Sequence, residues 1–112
     1  MFPKRNKGND TIDLESLYEA KKTRQENELK VYNKLLSRIH NRIKITARKP
    51  KAPKYLFFPV PHIMLGEINY DLADCIIFLM ECLQDNGFDV KYTKPNVIFI
   101  SWEHYIPSYE RE

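Results

Sequence analysis

Residues 71–102 read DLADCIIFLMECLQDNGFDVKYTKPNVIFISW, and here periodicity, capping and turn chemistry all agree. Asp71 precedes an apolar run and Asp74 follows three residues on, so a helix should begin at this point with negative charge at its positive end. Asn86-Gly87 should end it, because glycine tolerates the left-handed conformation that closes a helix, with Phe88 returning toward Leu83. The spacing predicts a helix over Leu72–Asp85. Leu72, Cys75, Ile76, Leu79, Cys82 and Leu83 fall on one face, while Ile77, Phe78 and Met80 widen the apolar surface beyond a single stripe. One sheet cannot cover all of it, so the N-terminal helix or a partner must take the other side. A charge at Ile77 (Ile77→Asp) is therefore expected to disrupt folding or assembly.

After the cap, Phe88, Val90 and Tyr92 alternate with Asp89 and Lys91, and Lys94-Pro95-Asn96 reads as a turn with proline in second place. A hairpin follows. Its return strand, residues 97–102, carries Ile98, Ile100 and Trp102 on one face and Val97 and Phe99 on the other. A strand apolar on both faces is central, or lies beneath a second layer.

Upstream, residues 55–58 make a short aromatic strand ended by Pro59 and Pro61, neither of which can donate to a ladder. Residues 12–47 contain no Pro or Gly. Thr11 can cap a helix there, with Asp13 and Glu15 in its first turn. Residues 21–28 are wholly polar, which allows either two helices or one with a solvated waist. In the second half Leu29, Tyr32, Leu35, Leu36, Ile39 and Ile43 form an amphipathic face. The expectation is a single α+β domain over residues 11–102: an N-terminal helical segment (11–48), a basic proline linker (49–54), then a strand, a buried helix and a β-hairpin (55–102). A small three-stranded sheet covered by helices results. Residues 1–10 read as a mobile arm. The tail, residues 103–112, holds Tyr105, Ile106 and Tyr109 and is too apolar for plain disorder.

A chain of 112 residues with 43% hydrophobic content suits one modest core. Neither a secretory signal nor the roughly 20-residue apolar run of a membrane span occurs, so a soluble protein made in the cytosol is expected. The two cysteines stand seven apart on one predicted helix, about 10 Å along its axis, too far for a mutual disulfide; buried free thiols are the plain reading.

The net charge of +3 conceals an asymmetry. Residues 1–28 hold six basic and six acidic side chains, residues 29–66 nine basic and none acidic, and residues 67–112 three basic and nine acidic. Lys30, Lys34, Arg38 and Arg42 recur every four residues, and Lys44, Arg48, Lys49 and Lys51 continue the row. A polyanion, an acidic protein surface or a second copy of the chain would satisfy such a segment, although a solvated helix face is the commoner meaning of a charge run.

Chemistry finds little support. His40, His62 and His104 sit on different elements, neither cysteine has a companion at zinc-site spacing, and no phosphate loop or nucleophile elbow is present. Asp71 and Asp74 are accounted for by capping. No cofactor and no enzymatic activity are expected. Tyr55, Phe57, Phe58, Tyr92, Phe99 and Trp102 could form a platform for stacking bases, but aromatic strand residues more often belong to a core. A winged-helix reading fits the element order, yet the helix that would enter a groove is apolar and acidic, so nucleic acid would fall to the basic row, as contact with the backbone.

The combination Tyr32-x-x-Leu35-Leu36-x-x-Ile39-His40-x-Arg42-Ile43-Lys44, then Asn86-Gly87-Phe88-x-Val90-x-Tyr92-x-x-Pro95-Asn96-x-Ile98-x-Ile100-Ser101-Trp102, then His104-Tyr105-Ile106-Pro107-Ser108-Tyr109 resembles a family of small proteins of nucleocytoplasmic large DNA viruses, over residues 30–109. The resemblance brings no assigned activity and no functional residues. It implies a protein made in the infected cell's cytoplasm and carried in the virion, as a minor capsid or assembly component whose partners are other viral structural proteins or further copies of itself. Ile77, Phe78, Trp102, Tyr105, Ile106 and Tyr109 are the apolar side chains expected at such protein interfaces. The contrasting expectation is a nucleic-acid-binding protein using the basic row.

Overall fold

Asp13 starts the first helix. Its carboxylate accepts from the backbone N–H of Ser16 at 2.7 Å and from the Ser16 hydroxyl at 2.7 Å, and these two bonds hold its pKa below the usual carboxylate value. The cap is thus Asp13 and not Thr11, which lies outside the residues that the computed structural model describes, 13–110. The N-terminal arm of residues 1–10 lies outside them too. Helix α1 then runs without a break through Leu14–Arg48, about 52 Å at 1.5 Å per residue. Residues 21–28 form a waist within one helix; they do not divide two.

Only the second half of α1 is anchored. Val31, Tyr32, Leu35, Ile39 and Ile43 are buried at helical spacing, whereas residues 13–26 are exposed on every side. Strand β1 (Tyr55–Pro59) follows a short linker, then helix α2 (Leu72–Asp85), and strands β2 (Asp89–Thr93) and β3 (Val97–Ser101) complete the sheet. A short 3-10 turn spans Ser108–Glu110. The strand order is β1-β3-β2, antiparallel throughout, with Phe57 opposite Phe99 on one side of β3 and Lys91 opposite Phe99 on the other. The doubly apolar strand is therefore the central one.

Helix α2 has the bounds that its caps imply. Asp71 accepts from the Asp74 N–H at 3.0 Å. At the other end Gly87 takes φ +95°, and the N–H groups of Gly87 and Phe88 donate to Gln84 and Leu83 carbonyls at 2.9 and 3.0 Å. The Lys94–Pro95 peptide is cis, which the local pattern does not reveal. Tyr92 closes this turn by donating its hydroxyl to the Pro95 carbonyl at 2.7 Å, and Asn96 ties it to Val60, whose carbonyl accepts from the Asn96 amide at 2.7 Å.

The core lies between the helices and one face of the sheet. Leu56, Phe58, Val90, Ile98 and Ile100 point inward and meet Leu35, Ile39, Ile43, Leu79 and Leu83. Helix α1 packs on α2 and β1, and α2 packs on β2. The molecule is the expected α+β arrangement of two helices and a small antiparallel sheet, but both helices cover the same face of that sheet. The other face has no layer above it among the described residues.

Candidate functional site

Strand alternation decides what the uncovered face displays. On β1 the pattern exposed, buried, exposed, buried, exposed turns Leu56 and Phe58 inward and Tyr55, Phe57 and Pro59 outward. Register places Phe99 and Val97 on the same outer side. Tyr55, Phe57 and Phe99 gather there, with ring centroids at 6.1 Å for Tyr55–Phe57, 5.6 Å for Tyr55–Phe99 and 5.1 Å for Phe57–Phe99, separations at which offset and edge-on rings attract. Phe57 remains 52% exposed and Tyr55 39%. Lys91 stands beside Phe99 on the far strand, with Asp89 and Thr93 flanking it.

The six aromatics considered from sequence thus divide. Phe58 is core, Tyr92 is on the inner-face register at the β2 edge, and Trp102 packs edge-on to Phe88 at 6.2 Å. For Tyr55 and Phe57 the core reading fails, because no layer buries them among the described residues. From sequence, Tyr55, Phe57 and Phe99 are candidates for a base-stacking platform, with a core place as the commoner reading, and are not among the side chains expected at protein interfaces. Alternation within YLFFP and the two-sided apolarity of β3 are signals that separate the two sets of side chains, but they do not tell which face stays open.

The basic row occupies the opposite layer. Lys30, Lys34, Arg38, Arg42, Lys44 and Arg48 are exposed on α1, and Lys49 and Lys51 on the linker. A repeat of four on a helix of 3.6 residues per turn drifts by about 40° each step, so the cations wind around α1 and do not form one straight stripe. Lys34 pairs with Glu67, the one ion pair among the described residues. Arg42 holds its guanidinium over the Phe58 ring at 5.8 Å, and with Arg38 borders a shallow hollow floored by Phe58, Pro59 and Pro61. Rings and cations therefore lie on opposite sides of the sheet and do not make one joint site for stacked bases and their phosphates.

The expected protein contacts are dispersed. Ile77 is 54% exposed, beside Ala73, Met80 and Tyr92 along the β2 edge. Burial of α2 on two sides holds for Phe78, which meets the Tyr32 ring at 5.5 Å, and fails for Ile77: α1 approaches α2 from the Phe78 side and leaves Ile77 outside. Trp102 is half-buried, and Tyr105, Ile106 and Tyr109 are exposed on a tail that His104 anchors to the α2 cap, its Nε2 lying 3.0 Å from the Gly87 carbonyl.

Burial pushes the Cys75 thiol up to about 12, and burial together with Asp85 and Glu81 raises that of Cys82, so both stay protonated and poorly nucleophilic at neutral pH. Tyr32 is raised to about 12, chiefly by burial and then by Glu28; burial also raises Tyr70, whose hydroxyl donates to the Pro61 carbonyl. The described residues contain no group of three His, Cys, Asp or Glu side chains placed to hold a metal ion, and no helix long and apolar enough to cross a membrane.

The model of a family of unknown function, DUF5759, matches residues 12–84, more than half of the chain. The chain belongs to DUF5759. The match takes in α1, β1 and nearly all of α2, including Tyr55 and Phe57, and ends before the hairpin that carries Phe99. No significant match joins this DUF5759 chain to a curated protein or to a solved structure.

Proposed function

We propose that this DUF5759 protein is a non-enzymatic, protein-binding component of a large DNA virus particle, a minor capsid or assembly protein made in the host cytoplasm. The observation that carries the reading is the open sheet face, on which Tyr55, Phe57 and Phe99 form a contiguous half-exposed patch. Aromatic side chains concentrated on an uncovered face mark the centre of protein interfaces, where a few buried anchors supply most of the affinity. The thiols, held protonated by burial and, at Cys82, by the neighbouring carboxylates Asp85 and Glu81, suit packing and not catalysis. The resemblance over residues 30–109 supplies the viral setting. Purified particles should contain the chain at a fixed ratio to the major shell protein; its absence from them would end this reading.

A second reading has its own support. The segment 29–66 carries nine basic residues and no acid; Glu67, just beyond it, engages Lys34. Such cations gain free energy by releasing counterions from a phosphate backbone. Titration against random-sequence DNA should then show a steep fall of affinity with salt that flattens in a Lys30→Ala/Arg38→Ala/Arg42→Ala variant. No binding near physiological salt would remove this reading.

A further inference from the structure

Among the described residues, the sheet has one covered face and one open face, and α1 carries an apolar stripe that nothing covers. Leu14, Leu17 and Tyr18 stand at i, i+3 and i+4 on the first two turns of α1, 72%, 53% and 68% exposed. This end of α1 is well made as a helix, since Asp13 caps it through Ser16. Its nearest core residue is Val31, seventeen positions on, which is about 25 Å along the axis. Because α1 is unbroken and lies on the inner layer, the stripe cannot reach the outer face of its own sheet while the helix persists.

We propose that the outer sheet face of one copy receives the N-terminal arm of α1 from a second copy, with Leu14, Leu17 and Tyr18 laid across Tyr55, Phe57 and Phe99. The partner is a second copy of this chain, a finer statement that rests on the adhesive reading above. Helix on sheet is the packing that the inner face already uses, and a second helix layer is what a central strand with Val97 and Phe99 on one side and Ile98 and Ile100 on the other lacks. Charge agrees in sign. The arm has Asp13, Glu15 and Glu19 and no cation from residue 13 to 20, whereas Lys91 flanks Phe99 on the outer face. Asp89, at the far corner of the face, is the acid that an incoming arm must avoid. Donor and receiver are different patches, so copies either exchange arms reciprocally in a closed two-fold pair or add head to tail into rings or filaments.

The mixing of two variants tests this. By analytical ultracentrifugation of the full chain, the wild type should associate with rising concentration, while Leu17→Glu, with a damaged arm, and Phe57→Glu, with a damaged face, should each remain monomeric and still melt cooperatively, since both positions are exposed. Combined in equal amounts, they should form a one-to-one dimer and nothing larger, because only the Phe57→Glu arm and the Leu17→Glu face still match. A wild type that stays monomeric at its highest soluble concentration overturns the proposal. So does a wild type that associates while the mixture does not, since the contact would then join like patches. A monomeric chain found at fixed ratio in purified particles would discard this inference and keep the virion reading; a chain that complements as described but is absent from particles would do the reverse.

Discussion

The two faces of the three-stranded sheet are built from similar residues and meet different fates. Inward, Leu56, Phe58, Ile98 and Ile100 are all at or below 6% exposure under α1 and α2; outward, Tyr55, Phe57 and Phe99 pack on one another with no layer above them among the described residues. The first set stabilises the chain by leaving water. The second gains that energy only when something else covers it. A small domain can close one face with its helices, and the face left over is where we propose that its work lies.

The contrast breaks most visibly when the inner face is damaged. Leu79→Ala should cost about 2–5 kcal/mol, since the side chain is fully buried and its neighbours can fill the void only in part; chemical denaturation measures it, and a loss like that of a surface site would show that the inner layer is not packed as described. Alkali attacks the same side. Cys75 and Tyr32 have folded-state pKa values raised to about 12, so the folded chain keeps protons that the unfolded chain releases. The stability they confer is complete below their ordinary values, near pH 9 to 10, and should drain away as pH rises toward 12. Melting temperature against pH would show this, and Cys75→Val should make the fall shallower. Phe57→Ser should act mildly on the melting of the isolated chain, by about 1 kcal/mol for the lost contacts with Tyr55 and Phe99, although association through the outer face should be lost. Ile77→Asp sharpens the comparison by its mildness. With the side chain 54% exposed, the change should stay within about 0.5 kcal/mol, and a collapse of folding would mean that α2 is covered on both sides after all.

Much of this was legible in the residues. The bounds of α2, the cap at Asn86-Gly87, the hairpin and the central place of β3 all follow from side chains adjacent in sequence, where capping and alternation act locally. What was not legible depends on where distant segments come to rest. Nothing in residues 71–85 says that α1 approaches from the Phe78 side and leaves Ile77 in water. Nothing in YLFFP says that both helices choose the Leu56 and Phe58 face and strand Tyr55 and Phe57. The polar run 21–28 left one helix and two equally open, because lysine, glutamate and glutamine favour a helix whether or not anything packs on it. The basic row was visible as composition, but its separation from the aromatic patch by the thickness of the sheet needed the fold.

Hydroxyl-radical footprinting of Tyr55, Phe57 and Phe99, in the purified chain and again in assembled particles, puts the central claim to its most direct test. These rings should be readily modified in dilute solution and strongly protected in the particle, with inner-face Phe58 protected in both. Equal modification of Tyr55 and Phe57 in the two states would contradict that claim, for the open face would then be covered by nothing.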